Sequence, residues 1–173
     1  MIDTPPDTVS GFRHRHEYVY LPPAWFAGSV PPSLPAVMMI GGEFGNASNW
    51  IRTGNAVSAI DDFARAHGGA APIFVFADSS GSFNNDTECV NGPPRGNAAD
   101  HLVDEVRPDV VSQFAASTEA AEWGGRRVVG RRDVCDESGR HASGTLHQLR
   151  GHRRRPRPEL RYQGADDRTP LRR

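Results

Sequence analysis

Ala36-Val37-Met38-Met39-Ile40-Gly41-Gly42 decides how this chain is read: five apolar residues in succession, stopped by two glycines. A half-exposed strand alternates apolar and polar residues, so an unbroken run predicts a strand covered on both faces, as in a parallel sheet. Downstream, Asn55 to His67 has helical spacing at Val57, Ile60 and Phe63–Ala64, and Gly68-Gly69 ends it. Pro72 to Ala77 reads as a second buried strand, closed by Asp78-Ser79-Ser80-Gly81. Asn97 to Phe114 predicts the longest helix, with Leu102, Val103, Val106, Val110 and Phe114 on one side. Pro108 should kink it, because proline removes a hydrogen bond and crowds the preceding turn. Trp123 then leads towards Val128-Val129, the remains of a third strand. Upstream, Glu17 to Leu21 reads as a strand stopped by Pro22-Pro23, and the polar, proline-rich residues 1–16 as a flexible lead-in. Strands alternating with helices over short connections imply an α/β fold, with helices covering a mainly parallel sheet.

The composition breaks just after Trp123. Up to Gly125 the chain has six arginines against fifteen Asp plus Glu. From Arg126 to Arg173 it has fourteen arginines against six acids, and no Phe, Trp, Ile or Met. The overall net charge of −1 averages these two halves. All twenty basic residues are arginine, a bias that fits a gene rich in G and C. Low hydrophobicity with clustered charge, as in Arg153-Arg154-Arg155-Pro156-Arg157, predicts disorder over 126–173. No apolar stretch approaches the length of a membrane span and the first residues form no signal peptide, so the cytoplasm is the default location. Cys89 and Cys135 fix no redox compartment; they pair or stand as two thiols.

Open α/β sheets place their sites at the carboxyl ends of strands. Gly41-Gly42-Glu43-Phe44-Gly45-Asn46 follows one such end. It is either a tight strand-to-loop turn or a turn whose backbone N–H groups stabilise a developing negative charge. Asp78 ends the next strand and either contacts a ligand or closes an Asx-type turn. His14 and His16 have strand spacing, but no further ligands cluster near them in sequence. They read as solvated surface histidines, and no metal or other cofactor is expected. Cys89 has no zinc-ligand spacing and reads as a loop or disulfide cysteine.

Five stretches then follow one order: Glu17–Pro23 (EYVYLPP), Val37–Trp50 (VMMIGGEFGNASNW), Asp86–Gly92 (DTECVNG), Gly96–Leu102 (GNAADHL) and Trp123-Gly124. Together they resemble the esterase D type α/β-hydrolases, in the branch similar to mycolyltransferases, over most of residues 9–124. The resemblance implies a serine nucleophile at a G-x-S-x-G elbow after the strand that follows the long helix, with an acid and a histidine further on. It implies ester or acyl substrates, and relatives that are often exported or membrane-anchored. It also implies an oxyanion-hole N–H on the residue after the strand-end glycine, which carries over to Gly42 and Glu43. Trp50 matches an aromatic in the same loop; with Asp78 it is a candidate for the substrate loop.

No G-x-S-x-G occurs in the chain. The genetic code offers an account of the departure. Write Gly124–Asp133 in GC-rich codons and delete one base after the first codon. The reading becomes G-V-V-G-W-S-A-G-G, and continues T-C-A through the codons of Val134-Cys135-Asp136. His147 to Gln163 likewise permits a neighbouring frame reading T-S-F-E-D-I-A-G-D-L-G-P-N-S-G-T. On that reading the chain divides into the lead-in 1–16, a truncated α/β-hydrolase domain 17–125 and an out-of-frame tail 126–173. Without a nucleophile and its base, acyl transfer has no covalent route. Two other readings remain: a replacement nucleophile at Ser79, Ser80 or Ser82, or an arginine-rich tail gripping nucleic acid or an anionic surface without specificity. The oligomeric state is not legible.

Overall fold

The computed structural model of the chain describes residues 9–127, the last two by backbone alone. Its main sheet has four strands: β1 (Tyr18–Tyr20), β2 (Ala36–Ile40), β3 (Ile73–Ala77) and β6 (Trp123–Arg127). They lie in the order β1-β3-β2-β6. β2 is parallel to both β3 and β6, and β1 runs antiparallel to β3 along the opposite edge. A two-residue hairpin, β4 (Asn91–Gly92) with β5 (Gly96–Asn97), stands apart from it. The result is a partial α/β fold with a mixed, mostly parallel sheet.

The two apolar runs form the middle of this sheet because helices cover both their faces. Successive strand residues point to opposite sides, and the core divides accordingly. Ala36, Met38 and Ile40 of β2, with Ile73, Val75 and Ala77 of β3, pack with Leu102, Val106, Val110 and Phe114. The alternate residues Met39 and Phe76 pack on the other side with Ala56, Ile60 and Ala64.

Those last three belong to α2 (Ala56–Ala66) and recur every fourth residue, so they form one row along the helix. Two alanines in that row leave little side chain between helix and sheet. Phe63, expected on the buried face, lies off the row: it is 49% exposed and stacks on His67 with ring centroids 4.0 Å apart. Gly68-Gly69 ends α2 as expected, with Gly68 at positive φ and the Gly69 N–H returning to the Ala64 carbonyl at 2.7 Å. A short helix, α1 (Ser48–Arg52), precedes α2.

The long helix of residues 98–114 has three parts: α3 (Ala98–Asp100), a π-helical segment (His101–Val106) and α4 (Arg107–Phe114). Proline's disruption of the backbone ladder is absorbed by this wider turn. The Arg107 N–H reaches back five residues to the Leu102 carbonyl, and Pro108 sits in the first turn of α4, where its missing N–H costs little. The third strand begins at Trp123 itself; Val128-Val129 lie outside the described residues, as does the tail expected to be disordered, apart from Arg126 and Arg127. Among the described residues no helix is long and apolar enough to cross a membrane.

Residues 10–16 differ from the expected flexible lead-in. Phe12 and Ser10 are buried, and Arg15 is tied to the end of β3. Hydrogen bonds from Val9 and Ser10 to Glu105 at 2.8–2.9 Å, from main chain and hydroxyl alike, supply partners that no neighbour in sequence offers.

The two faces of the sheet predict contrasting mutations. Ile73→Ala, at a fully buried position, should cost about 2–5 kcal/mol. Phe63→Ala, on the outside of α2, should stay within about 0.5 kcal/mol. Urea unfolding of the two variants measures the difference.

Candidate functional site

Because β2, β3 and β6 are parallel, their carboxyl ends open on one side of the sheet. After β2 the chain turns sharply. The Gly41 N–H bonds the Ala77 carbonyl at 3.3 Å, and the Gly45 N–H bonds the Gly42 carbonyl at 3.0 Å. Space at Gly41 is tight: a Cβ there would stand 3.1 Å from the Asn46 carbonyl carbon, so the turn would have to give by a few tenths of an ångström. Asn46 Oδ1 accepts from the Ser48 N–H and hydroxyl at 3.0 and 2.6 Å, fixing the entrance to α1. Trp50, on α1, donates its indole N–H to the Ile40 carbonyl at 3.0 Å, pinning the helix to the strand end. Glu43 accepts at its carbonyl from the Asn84 N–H at 3.2 Å, which joins this turn to the loop after β3. Among the described residues no acceptor takes the N–H of Gly42 or of Glu43. Phe44 and Phe83 meet at 5.7 Å across the same junction, both largely exposed.

At the end of β3, Asp78 is wholly buried and fully engaged. Arg15 donates to it from its backbone N–H at 2.8 Å and from its guanidinium at 2.6 and 3.0 Å. The Ser80 and Gly81 N–H groups close on the same carboxylate at 3.3 and 3.1 Å, completing the Asx-type turn. Burial alone would raise the Asp78 pKa, but Arg15's hydrogen bonds and charge outweigh it and hold the carboxyl below its ordinary value. Arg15 also reaches the Gly45 carbonyl at 2.8 Å and so braces both strand-end loops at once.

Beside this pair lies a buried charge network that sequence reading did not single out. Glu17 Oε1 accepts from the Asp78 N–H at 2.8 Å and from His101 Nε2 at 3.1 Å. His101 Nδ1 meets Glu105 Oε2 at 2.8 Å. A ring that faces a carboxylate at each nitrogen is favoured in its doubly protonated form. Burial pushes its pKa down, while Glu17 first and then Glu105 push it up, and the net direction is upward. Glu105 is pulled down to about 2: burial opposes ionisation, but the Ser10 N–H, His101, the Ser10 hydroxyl and the Val9 N–H all stabilise the carboxylate. One signal for this network was legible. His101 and Glu105 stand four apart, an intrahelical pair, directly beside the Leu102–Val106 row. That Glu17 would meet them from 84 residues away was not.

His14 corrects an expectation. It is half-buried, not a solvated surface residue, and stacks on His101 with centroids 4.6 Å apart and planes 18° from parallel. His16 is exposed as expected. Cys89 is buried in its loop and disulfide-bonded; Cys135 lies outside the described residues. Ser79 and Ser80 are each 1% exposed and Ser82 is at the surface, and among the described residues none hydrogen-bonds a histidine. A serine nucleophile needs a base within hydrogen-bond reach, so the geometry does not support a replacement there. A cavity of about 540 Å³ opens between residues 11–14, the loop after β3 and the β4–β5 hairpin, with Arg13, His14, Ser80, Asn85 and Arg95 in its wall.

The network carries a pH signature. Glu105, lowered from 4.5, contributes stability that is present above pH 4.5 and lost as pH falls towards 2. His101, raised above 6.5, contributes stability that is full below pH 6.5 and lost as pH rises through its folded value. The network therefore supports the fold best between those limits. In Glu105→Gln the melting temperature should be lower at pH 5.5 and should fall less steeply between pH 4.5 and 2 than in the parent; parallel curves would contradict the assignment.

Comparison with known proteins matches these features at the level of the fold. No family model matches the chain. A Corynebacterium glutamicum protein described as uncharacterized is 30% identical over 120 residues, which cover 69% of this chain and 28% of that protein. The chain thus matches little more than a quarter of that relative's length. Among solved structures, a ferulic acid esterase superposes with a TM-score of 0.52 at 12% identity, over 64% of this chain and 41% of that one. The described residues share their α/β fold with part of an esterase.

Proposed function

We propose that residues 17–125 are the oxyanion-bearing part of a serine ester hydrolase or acyltransferase of the esterase D type, in the mycolyltransferase-like branch. We further propose that the chain as written is inactive, because its reading frame changes after Trp123. The observation that carries this reading is the turn after β2. Its Gly42 and Glu43 N–H groups have no acceptor among the described residues, and β6 lies parallel beside it. Oxyanion donors of this kind come from a strand-end loop facing a nucleophile elbow on a neighbouring strand.

The strand register supports the frame change. β2 and β6 pair with Ile40 opposite Arg127. In the alternative frame the serine falls at position 129. A strand continuing the same register would bring it level with Gly42, beside the Glu43 N–H. Phe44 and Phe83 at the rim suit an acyl or aromatic group on the substrate. Trp50 and Asp78 then act by holding the site's two loops: one pins α1 to the end of β2, the other anchors Arg15.

The test compares two proteins. The chain as written should hydrolyse p-nitrophenyl acetate no faster than buffer. The version made by deleting one base after the Gly124 codon should turn the ester over, and replacing its serine at position 129 by alanine should lower kcat by at least 10³-fold. Turnover by the chain as written, or nucleotides around the Trp123 codon that open no frame carrying G-x-S-x-G, would overturn the proposal.

A further inference from the structure

Glu17 has one carboxylate oxygen fully used and one not used at all. Oε1 takes two hydrogen bonds, whereas Oε2 is buried with no partner among the described residues. The residue is 4% exposed, and a buried carboxylate oxygen left without a partner is costly. His14, Glu17 and His101 each offer a ligand atom here, all within 4.8 Å of one another.

The remaining parts of the cluster are those of a metal centre. His101 is oriented by Glu105 through Nδ1, the carboxylate–histidine arrangement that fixes metal-binding imidazoles. His14 Nδ1 lies 3.0 Å from the Arg15 carbonyl, which can only accept, so in the neutral ring that nitrogen carries the hydrogen and Nε2 is the atom a metal would meet.

We propose that His14, Glu17 and His101 bind a divalent metal ion of the zinc class, through His14 Nε2, the Glu17 carboxylate and His101 Nε2. Glu105 acts as the positioning residue. Two imidazoles and a carboxylate suit zinc, whose ligands stand about 2.0–2.2 Å from the metal and hence about 3.4 Å apart in a tetrahedron. The ligand atoms, within 4.8 Å of one another, must draw in by up to about 1.4 Å to hold the ion. Three protein ligands leave a fourth position for water. His14 also lines the 540 Å³ cavity, which gives the ion a way in from solvent. The site is independent of the serine chemistry proposed above, so each can fail alone.

Full-length chain stripped with EDTA is titrated with zinc chloride against a chromophoric chelator, and melting is followed with and without zinc. One equivalent should bind tightly in the parent and in His16→Ala and His67→Ala, and zinc should raise the melting temperature of all three. His14→Ala should lose at least 100-fold in affinity and the thermal shift, with Glu105→Gln losing about 10–100-fold. Should His14→Ala not fold, His14→Gln serves in its place. Equal zinc affinity in the parent and the His14 variant, or no tight zinc in the parent, would overturn the proposal.

Discussion

The Glu17 carboxylate sits where three separate parts of the chain have to agree. It comes just ahead of β1, accepts from the first N–H beyond β3, and meets a histidine on the π-helical segment. Each partner comes from a different stretch of sequence, and none could be buried without the others. Glu105 extends the same arrangement to the chain ahead of β1, and Arg15 extends it to the turn after β2. Hydrophobic burial on both faces of β2 and β3 supplies most of the driving force for the fold. The charged groups do something narrower: they settle where the strand-end loops stand relative to one another. A buried carboxylate with its partners removed is far more costly than one never buried, so this corner tolerates little rearrangement.

The strands were legible because their chemistry is local. Ala36–Ile40 and Ile73–Ala77 are apolar without interruption, and that alone demands cover on both faces. The ends of α2 were legible from Asn55 and Gly68-Gly69 for the same reason. Phe63 was misplaced because helical spacing fixes a row of positions without saying which row faces the sheet; the Ala56–Ile60–Ala64 row, with its smaller side chains, allows the closer approach. Residues 10–16 looked like part of a flexible lead-in because residues 1–16 as a whole are polar and proline-rich, yet their partners are Glu105 and Asp78, far along the chain. The candidate site divides the same way. The glycine turn after β2 could be read directly, whereas the Glu17–His101–Glu105 network depends on contacts across 84 residues that no window of sequence contains.

The glycine turn and the charge network meet at Arg15, which touches Asp78 on one side and the Gly45 carbonyl on the other. The backbone of the turn is thereby held by a guanidinium whose charge is already spent on Asp78. An anion-stabilising loop works best when its dipoles are fixed before the charge arrives. On the function proposed above, Arg15 supplies that rigidity from behind, without itself standing among the donors.

The π-helical segment between His101 and Val106 has a consequence for how this corner can change by descent. A π turn is an α-helix carrying one residue too many, accommodated by a wider ring of hydrogen bonds. The Leu102, Val106, Val110 and Phe114 row stays on the sheet through it. A lineage that lost one residue here would regain an ordinary helix with the turns on either side left in place, since the wider ring is what absorbs the extra residue. Only the residues of the wide turn itself, His101 to Val106, would be re-aimed. Val110 and Phe114 of the apolar row therefore do not depend on the extra residue, whereas the place of the ring that meets Glu17 does.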